Sequence, residues 1–166
     1  MKRQLIAIFF VAVMLISCVS CNTTESGGDT SADTTAGVTF EVDLSTMRQN
    51  MIDKFEATDS ISVETESLLD LYGIKGEDVV ESACYMTMDG VFPQEIIMIK
   101  ATSKEAASRV AASLENRLSE IKAQSQNYDP ENYALAQKCK VENNGEYVTL
   151  FVSAHNEEMG KMFWGK

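Results

Sequence analysis

Hydrophobic and polar positions follow three regimes along this chain. Residues 5–16 are an unbroken apolar run, residues 22–37 contain no large apolar side chain, and from Val38 onward apolar positions recur with the periods of helices and strands. In the third regime, Leu44, Met47, Met51, Ile52 and Phe55 fall at helical spacing, predicting a helix over 43–55 capped by Asp43 or Ser45. A shorter helix is expected over 64–72, closed by Gly73. Two hairpins follow, each leading into a helix. The first pairs 79–88 with 95–101 through an Asp89-Gly90 turn. Thr102-Ser103-Lys104-Glu105 then reads as a capping box, with the Thr102 hydroxyl as cap. It opens a long helix bearing Ala107, Val110, Ala111, Leu114, Leu118 and Ile121 on one face. Asp129-Pro130 starts a short helix through Tyr133 and Leu135. The second hairpin pairs 139–142 with 147–153 through Asn144-Gly145, and Asn156 caps a last helix carrying Met159, Met162, Phe163 and Trp164. The expected fold is α+β: a four-stranded antiparallel sheet from two β-hairpins, each followed by a helix (ββαββα). One or two N-terminal helices precede it, and the helices pack on one face. Residues 38–166 are read as one such domain.

The first two regimes speak to location. Lys2 and Arg3 precede the apolar run, which stops well short of the roughly 20 residues a membrane-spanning helix needs, so residues 1–17 read as a secretory signal peptide. The run ends in Leu15-Ile16-Ser17-Cys18, which resembles the lipobox of bacterial lipoproteins. That resemblance implies a diacylglyceryl group on the Cys18 sulfur and cleavage before it. Cys21 is the alternative acceptor, although its minus-three residue is Cys18 rather than Leu. Release without an anchor is the plainer alternative, but no small-x-small cleavage site precedes a non-cysteine. Cys18-Val19-Ser20-Cys21 also spells C-x-x-C; a redox or zinc role would need a folded setting or a second ligand pair. Residues 18–37, rich in Ser, Thr, Gly and Asp, are expected to form a disordered tether holding the domain on the order of 20 Å from the lipid. The expected location is the cell membrane, lipid-anchored on the extracytoplasmic face, with the bilayer as partner through the covalent acyl anchor.

Composition narrows the chemistry. The 166 residues are 45% apolar, enough for one core, and the net charge of -11 excludes nucleic acid as a natural partner. No G-x-S-x-G, H-E-x-x-H or phosphate-cradling glycine loop occurs. His155, the only histidine, reads as a turn residue before the last helix. Cys84 and Cys139 fall in the first and third predicted strands. An oxidising compartment would permit a disulfide between them, against the commoner outcome of two buried thiols. Thioethers suit Cu(I), but Met47, Met51, Met86, Met88 and Met98 lie on apolar faces and read as core. Asp59, Glu64, Glu66, Asp70, Glu77, Asp78 and Glu81 form the densest acidic stretch without calcium-loop spacing; a solvated surface explains them, with weak binding of cations or a basic partner as the alternative. No cofactor, metal or catalytic residue is expected.

Over 68–163 the chain resembles an uncharacterised group of Gram-positive, clostridia-type lipoproteins, domain of unknown function 4358. The resemblance is carried by Tyr72-Gly73, by Glu77-Asp78 and by Glu95-Ile96-Ile97-Met98-Ile99-Lys100-Ala101. Arg117, Tyr128, Pro130, Tyr133, Gly145-Glu146-Tyr147-Val148 and Phe151-Val152-Ser153 complete it. It implies no activity, cofactor or catalytic residue, and Cys84 and Cys139 lie outside its pattern. The leading expectation is a non-enzymatic envelope module binding a protein, peptide or small ligand. An envelope hydrolase of unfamiliar type would need Glu95, His155 or Tyr128 to converge in one pocket. A structural or assembly role would need an exposed apolar patch around Phe163 and Trp164.

Overall fold

In the computed structural model, residues 40–57, 59–87 and 94–166 are described. The residues read as a signal peptide and a tether, the lipidation candidates Cys18 and Cys21, Met88 and the Asp89-Gly90 pair lie outside them. Five α-helices, α1 (Leu44–Lys54), α2 (Leu68–Tyr72), α3 (Lys104–Tyr128), α4 (Pro130–Lys138) and α5 (Asn156–Trp164), surround a mixed-length antiparallel sheet. Its strands are β1 (Ile61–Val63), β2 (Val79–Ser82), β3 (Cys84–Thr87), β4 (Gln94–Ala101), β5 (Val141–Asn144) and β6 (Tyr147–Val152). The order is β1-β3-β4-β6-β5, with β2 also pairing β4.

Among the described residues the sheet therefore has six strands where four were expected. β1 was too short to stand out by periodicity, and the single strand expected over 79–88 is broken at Ala83. Both of its pieces still run along β4: Ser82 pairs with Ile99, the Ala83 amide donates to the Met98 carbonyl at 2.9 Å, and Tyr85 pairs with Ile96. A register shift between Val79 and Glu81 bends the first piece.

The second correction concerns layers. Helices cover both faces of the sheet. Ile97, Ile99 and Ala101 of β4, with Val148, Leu150 and Val152 of β6, pack against Val110, Leu114 and Leu118 of α3. The opposite parity, Ile96, Met98, Tyr147 and Phe151, packs against Leu44 and Met51 of α1 and Met159, Phe163 and Trp164 of α5. Period-two alternation places successive side chains on opposite faces, so strands apolar at every position need cover on both sides. The second core is aromatic. Phe40 stacks on Trp164 at 5.1 Å and meets Tyr147 edge-on at 5.2 Å. Phe163 and Trp164 are buried there, so the exposed patch required by the assembly reading is not at these residues.

Several caps shift by one residue. Asp43 accepts from the Thr46 amide at 2.7 Å and Asp129 from the Asn132 amide at 3.0 Å, as expected. The cap of α3 is Ser103, accepting from the Ala106 amide, while the Thr102 hydroxyl donates instead to the Glu77 carbonyl. His155 rather than Asn156 occupies the cap position of α5, and the Asn156 side chain donates back to the Ser153 carbonyl at 2.9 Å. The β5–β6 turn is Gly145-Glu146, not Asn144-Gly145: Asn144 pairs with Tyr147, and Gly145 sits at φ +65° in the first central position. That position suits glycine in a two-residue hairpin loop.

Cys139 is not in a strand; it ends α4. Cys84 lies on β3, and two strands separate β3 from β5, a lateral distance of about 14 Å at the usual strand spacing. A disulfide needs Cα atoms within about 7 Å. Both thiols are free and buried, donating to the Met98 and Leu135 carbonyls respectively. Burial pushes the Cys84 thiol up to about 12.

Candidate functional site

The shortest helix shapes the main groove. α2 ends at Gly73, whose φ of +68° lets its amide donate to the Leu69 carbonyl and the Ile74 amide to the Leu68 carbonyl. This left-handed closure satisfies the last carbonyls of a five-residue helix. It leaves Leu68 and Tyr72 buried under the turn and Leu69 and Leu71 exposed.

Opposite α2 runs α3, on which Arg109, Ser113 and Arg117 recur every four residues and so share one stripe. Each arginine grips a buried carboxylate. Arg117 donates through Nε to Glu95 Oε2 at 3.1 Å and through Nη2 to Glu95 Oε1. Glu95, on β4, points to the α3 face and is 1% exposed. Arg109 holds Asp78 in the same two-pronged way, with Nε to Oδ2 at 3.1 Å. Hydrogen bonding to Glu95 holds the Arg117 guanidinium above its ordinary range, and the Arg109 hydrogen bond holds the Asp78 carboxyl below the usual 3.8. Such pairs fix geometry because a carboxylate removed from water must find a partner. Ser113, midway, lies 3.5 Å from the Gly73 carbonyl.

Between α2 and α3 an open groove of about 750 Å³ is lined by Leu69, Leu71, Tyr72, Met86, Asn116 and Arg117, with Asp70 and Glu120 also on its walls. A smaller cavity of about 190 Å³, reaching Asp78 and Arg109, adjoins it at Gly73 and Ser113. Tyr72 is 6% exposed and its hydroxyl has no partner among the described residues. Burial, with the Glu95 charge second, drives its ionisation well above the usual 10.

The residues the hydrolase reading required do not meet. Glu95 is committed to Arg117 on the α3 face. His155 stacks on Phe55 at 5.0 Å in the α1 layer, and Tyr128 is 87% exposed at the end of α3. Of the acidic stretch, Asp78 is taken by Arg109 and Glu77 lies 3.8 Å from Lys75. Among the described residues, no group of three or more His, Cys, Asp or Glu could hold a metal ion, and no helix is long and apolar enough to cross a membrane.

Arg109, Ser113 and Asn116 went unremarked in the sequence. The available signal was the four-residue spacing of Arg109, Ser113 and Arg117, together with a lone glutamate opening the Ile96–Ile99 run. Tyr72, Gly73, Asp78, Glu95 and Arg117, which belong to the resemblance noted above, come together here. The family comparison agrees: residues 53–153 match the family described as Domain of unknown function (DUF4358). The chain belongs to this family. The match begins in the last turns of α1 and ends just before α5, so the DUF4358 region holds the whole sheet, the groove and both arginine clamps. It starts and stops earlier than the 68–163 span quoted above. No curated protein and no solved structure matches the chain.

Proposed function

We propose that this DUF4358 chain is a lipid-anchored, extracytoplasmic binding module of the cell envelope that holds its partner in the groove between α2 and α3. The observation that carries the reading is convergence. Tyr72, Gly73, Asp78, Glu95 and Arg117 come from four separate stretches of chain: Tyr72, Gly73 and Arg117 line one open groove, Glu95 holds Arg117 from beneath, and Asp78 lines the smaller cavity that adjoins it. The arginine clamps hold its α3 wall rigid, while Leu69 and Leu71 stand exposed on the α2 side.

The described chain begins at Phe40, packed against Tyr147 and Trp164 in the α1–α5 layer, whereas the groove opens on the α3 layer. The groove and the aromatic cluster around Phe40 thus lie on opposite faces of the sheet. The anchor is the Cys18 thioether inferred from the lipobox, with Cys21 as the alternative.

Two measurements test the proposal. A clickable fatty acid should label the wild type and the Cys21→Ala variant but not Cys18→Ala; equal labelling of all three, or of none, overturns the anchor assignment. A photo-crosslinking amino acid at Leu71 should give a discrete adduct in intact cells, whereas the same group at Val80, exposed on β2, should not. Indistinguishable patterns from the two positions would refute the groove as the binding site.

A further inference from the structure

We infer that the occupant of the α2–α3 groove is a polypeptide segment in which apolar side chains stand next to Lys or Arg; this deepens the binding reading and rests on it. Charge supplies the first reason. The single cation on the lining, Arg117, is shared between the buried Glu95 beneath it and Glu120 at 3.5 Å, so three carboxylates face one guanidinium and the excess negative charge is carried on the walls by Asp70 and Glu120. Both are exposed. The surrounding protein adds to the field, since the net charge is -11. An anionic occupant would be repelled and a cationic one drawn in.

Apolar contact supplies the second reason. Leu69 and Leu71 are 55% and 45% exposed beside the half-buried Met86, so an occupant with apolar side chains gains by covering them. The third is hydrogen bonding. Asn116 offers a donor and an acceptor together, a pairing suited to peptide main chain. From Ser113 to Glu120 the wall rises roughly 10 Å, the length of three or four residues of extended chain.

Rival occupants fit less well. The chain's own 22–37 segment carries Glu25, Asp29 and Asp33 and no large apolar residue. A second copy of the chain would bring its own net negative charge.

The test uses the full-length chain and three fluorescein-labelled eight-residue peptides, alternating Leu with Lys, Leu with Glu, and Ser with Lys. Fluorescence anisotropy should rank Leu/Lys tightest. Its Kd should weaken about tenfold in an Asp70→Lys/Glu120→Lys variant, from two exposed charge contacts turned from attractive to repulsive. Glu157→Lys, on α5, should leave it unchanged. If Leu/Glu binds as tightly as Leu/Lys and Leu71→Ser weakens both, the groove binds peptide but the cationic assignment is wrong. If Ser/Lys matches Leu/Lys, the apolar part of the assignment is wrong. If no peptide responds to Leu71→Ser, or none binds, this inference fails; the groove reading then stands or falls on the Leu71 crosslink alone.

Discussion

Removing the guanidinium from the Arg117–Glu95 clamp tests how the groove is held. In Arg117→Met the side chain keeps similar length and apolar stem, but Glu95, 1% exposed on the central strand, loses both hydrogen bonds from its partner. Breaking a buried pair from one side costs about 3–5 kcal/mol, because an uncompensated charge is left behind. The Arg117 side chain is 25% exposed, so water can reach its edge, and we take the lower end, about 3 kcal/mol. Against a total stability of about 5–15 kcal/mol, that is a large fraction. With a urea dependence of about 2 kcal/mol per molar, the unfolding midpoint should fall by about 1.5 M. Arg117→Met/Glu95→Met removes both charges and should return to within about 1 kcal/mol of wild type, since apolar replacements of a buried pair are often neutral. Urea denaturation followed by circular dichroism on wild type, both single variants and the double variant completes the cycle. A cost below about 1 kcal/mol for Arg117→Met would match a solvated surface pair and refute the clamp. So would a double variant less stable than Arg117→Met alone.

Further expectations follow from other contacts. Because Asp78 is held below its usual 3.8 by Arg109, its contribution to stability is fully present above about pH 4 and is lost as pH falls through the lowered value. Arg109→Gln should flatten that part of an acid-unfolding curve, and an unchanged acid limb would contradict the pairing. The Cys84 and Cys139 thiols should resist alkylation in the native protein and react fully in denaturant; a melting temperature that drops on adding reductant would instead show a disulfide. Gly145→Ala forces a side chain into φ +65° with open space around it, so strain alone should destabilise by about 1 kcal/mol in urea titrations. Tyr85 carries a buried hydroxyl without a partner among the described residues, so Tyr85→Phe should leave the melting temperature unchanged or raise it.

The helices were legible because their signals are local. Asp43, Gly73 and the Asp129-Pro130 pair act within one turn of chain, and α1, α3 and α4 begin where such signals stand. Where two adjacent residues could serve, as with Thr102 and Ser103 or His155 and Asn156, long-range packing chose between them: Thr102 was drawn to Glu77 across the fold. The break at Ala83 and the three-residue β1 depend on what β4 and β3 offer as edges, and no local pattern carries that.

Sequence alone therefore determined the approximate helix positions, the hairpin at Gly145, much of the apolar core and the apolar run over residues 5–16 that ends before Cys18, while Asp78, read as part of a solvated acidic surface, is buried against Arg109. The expectation of helices on one face failed at the Ile96–Ile99 and 147–152 runs, whose consecutive buried residues alternate between the two faces and are covered on both. Tertiary structure decided the strand order, the separation of Cys84 from Cys139, the pairing of Arg117 with Glu95 under the groove that Tyr72 lines, and the pairing of Arg109 with Asp78 in the cavity beside it. Those depend on which distant segments pack together, and that choice belongs to the whole chain, because each buried charge and each apolar face must find its partner at the same time.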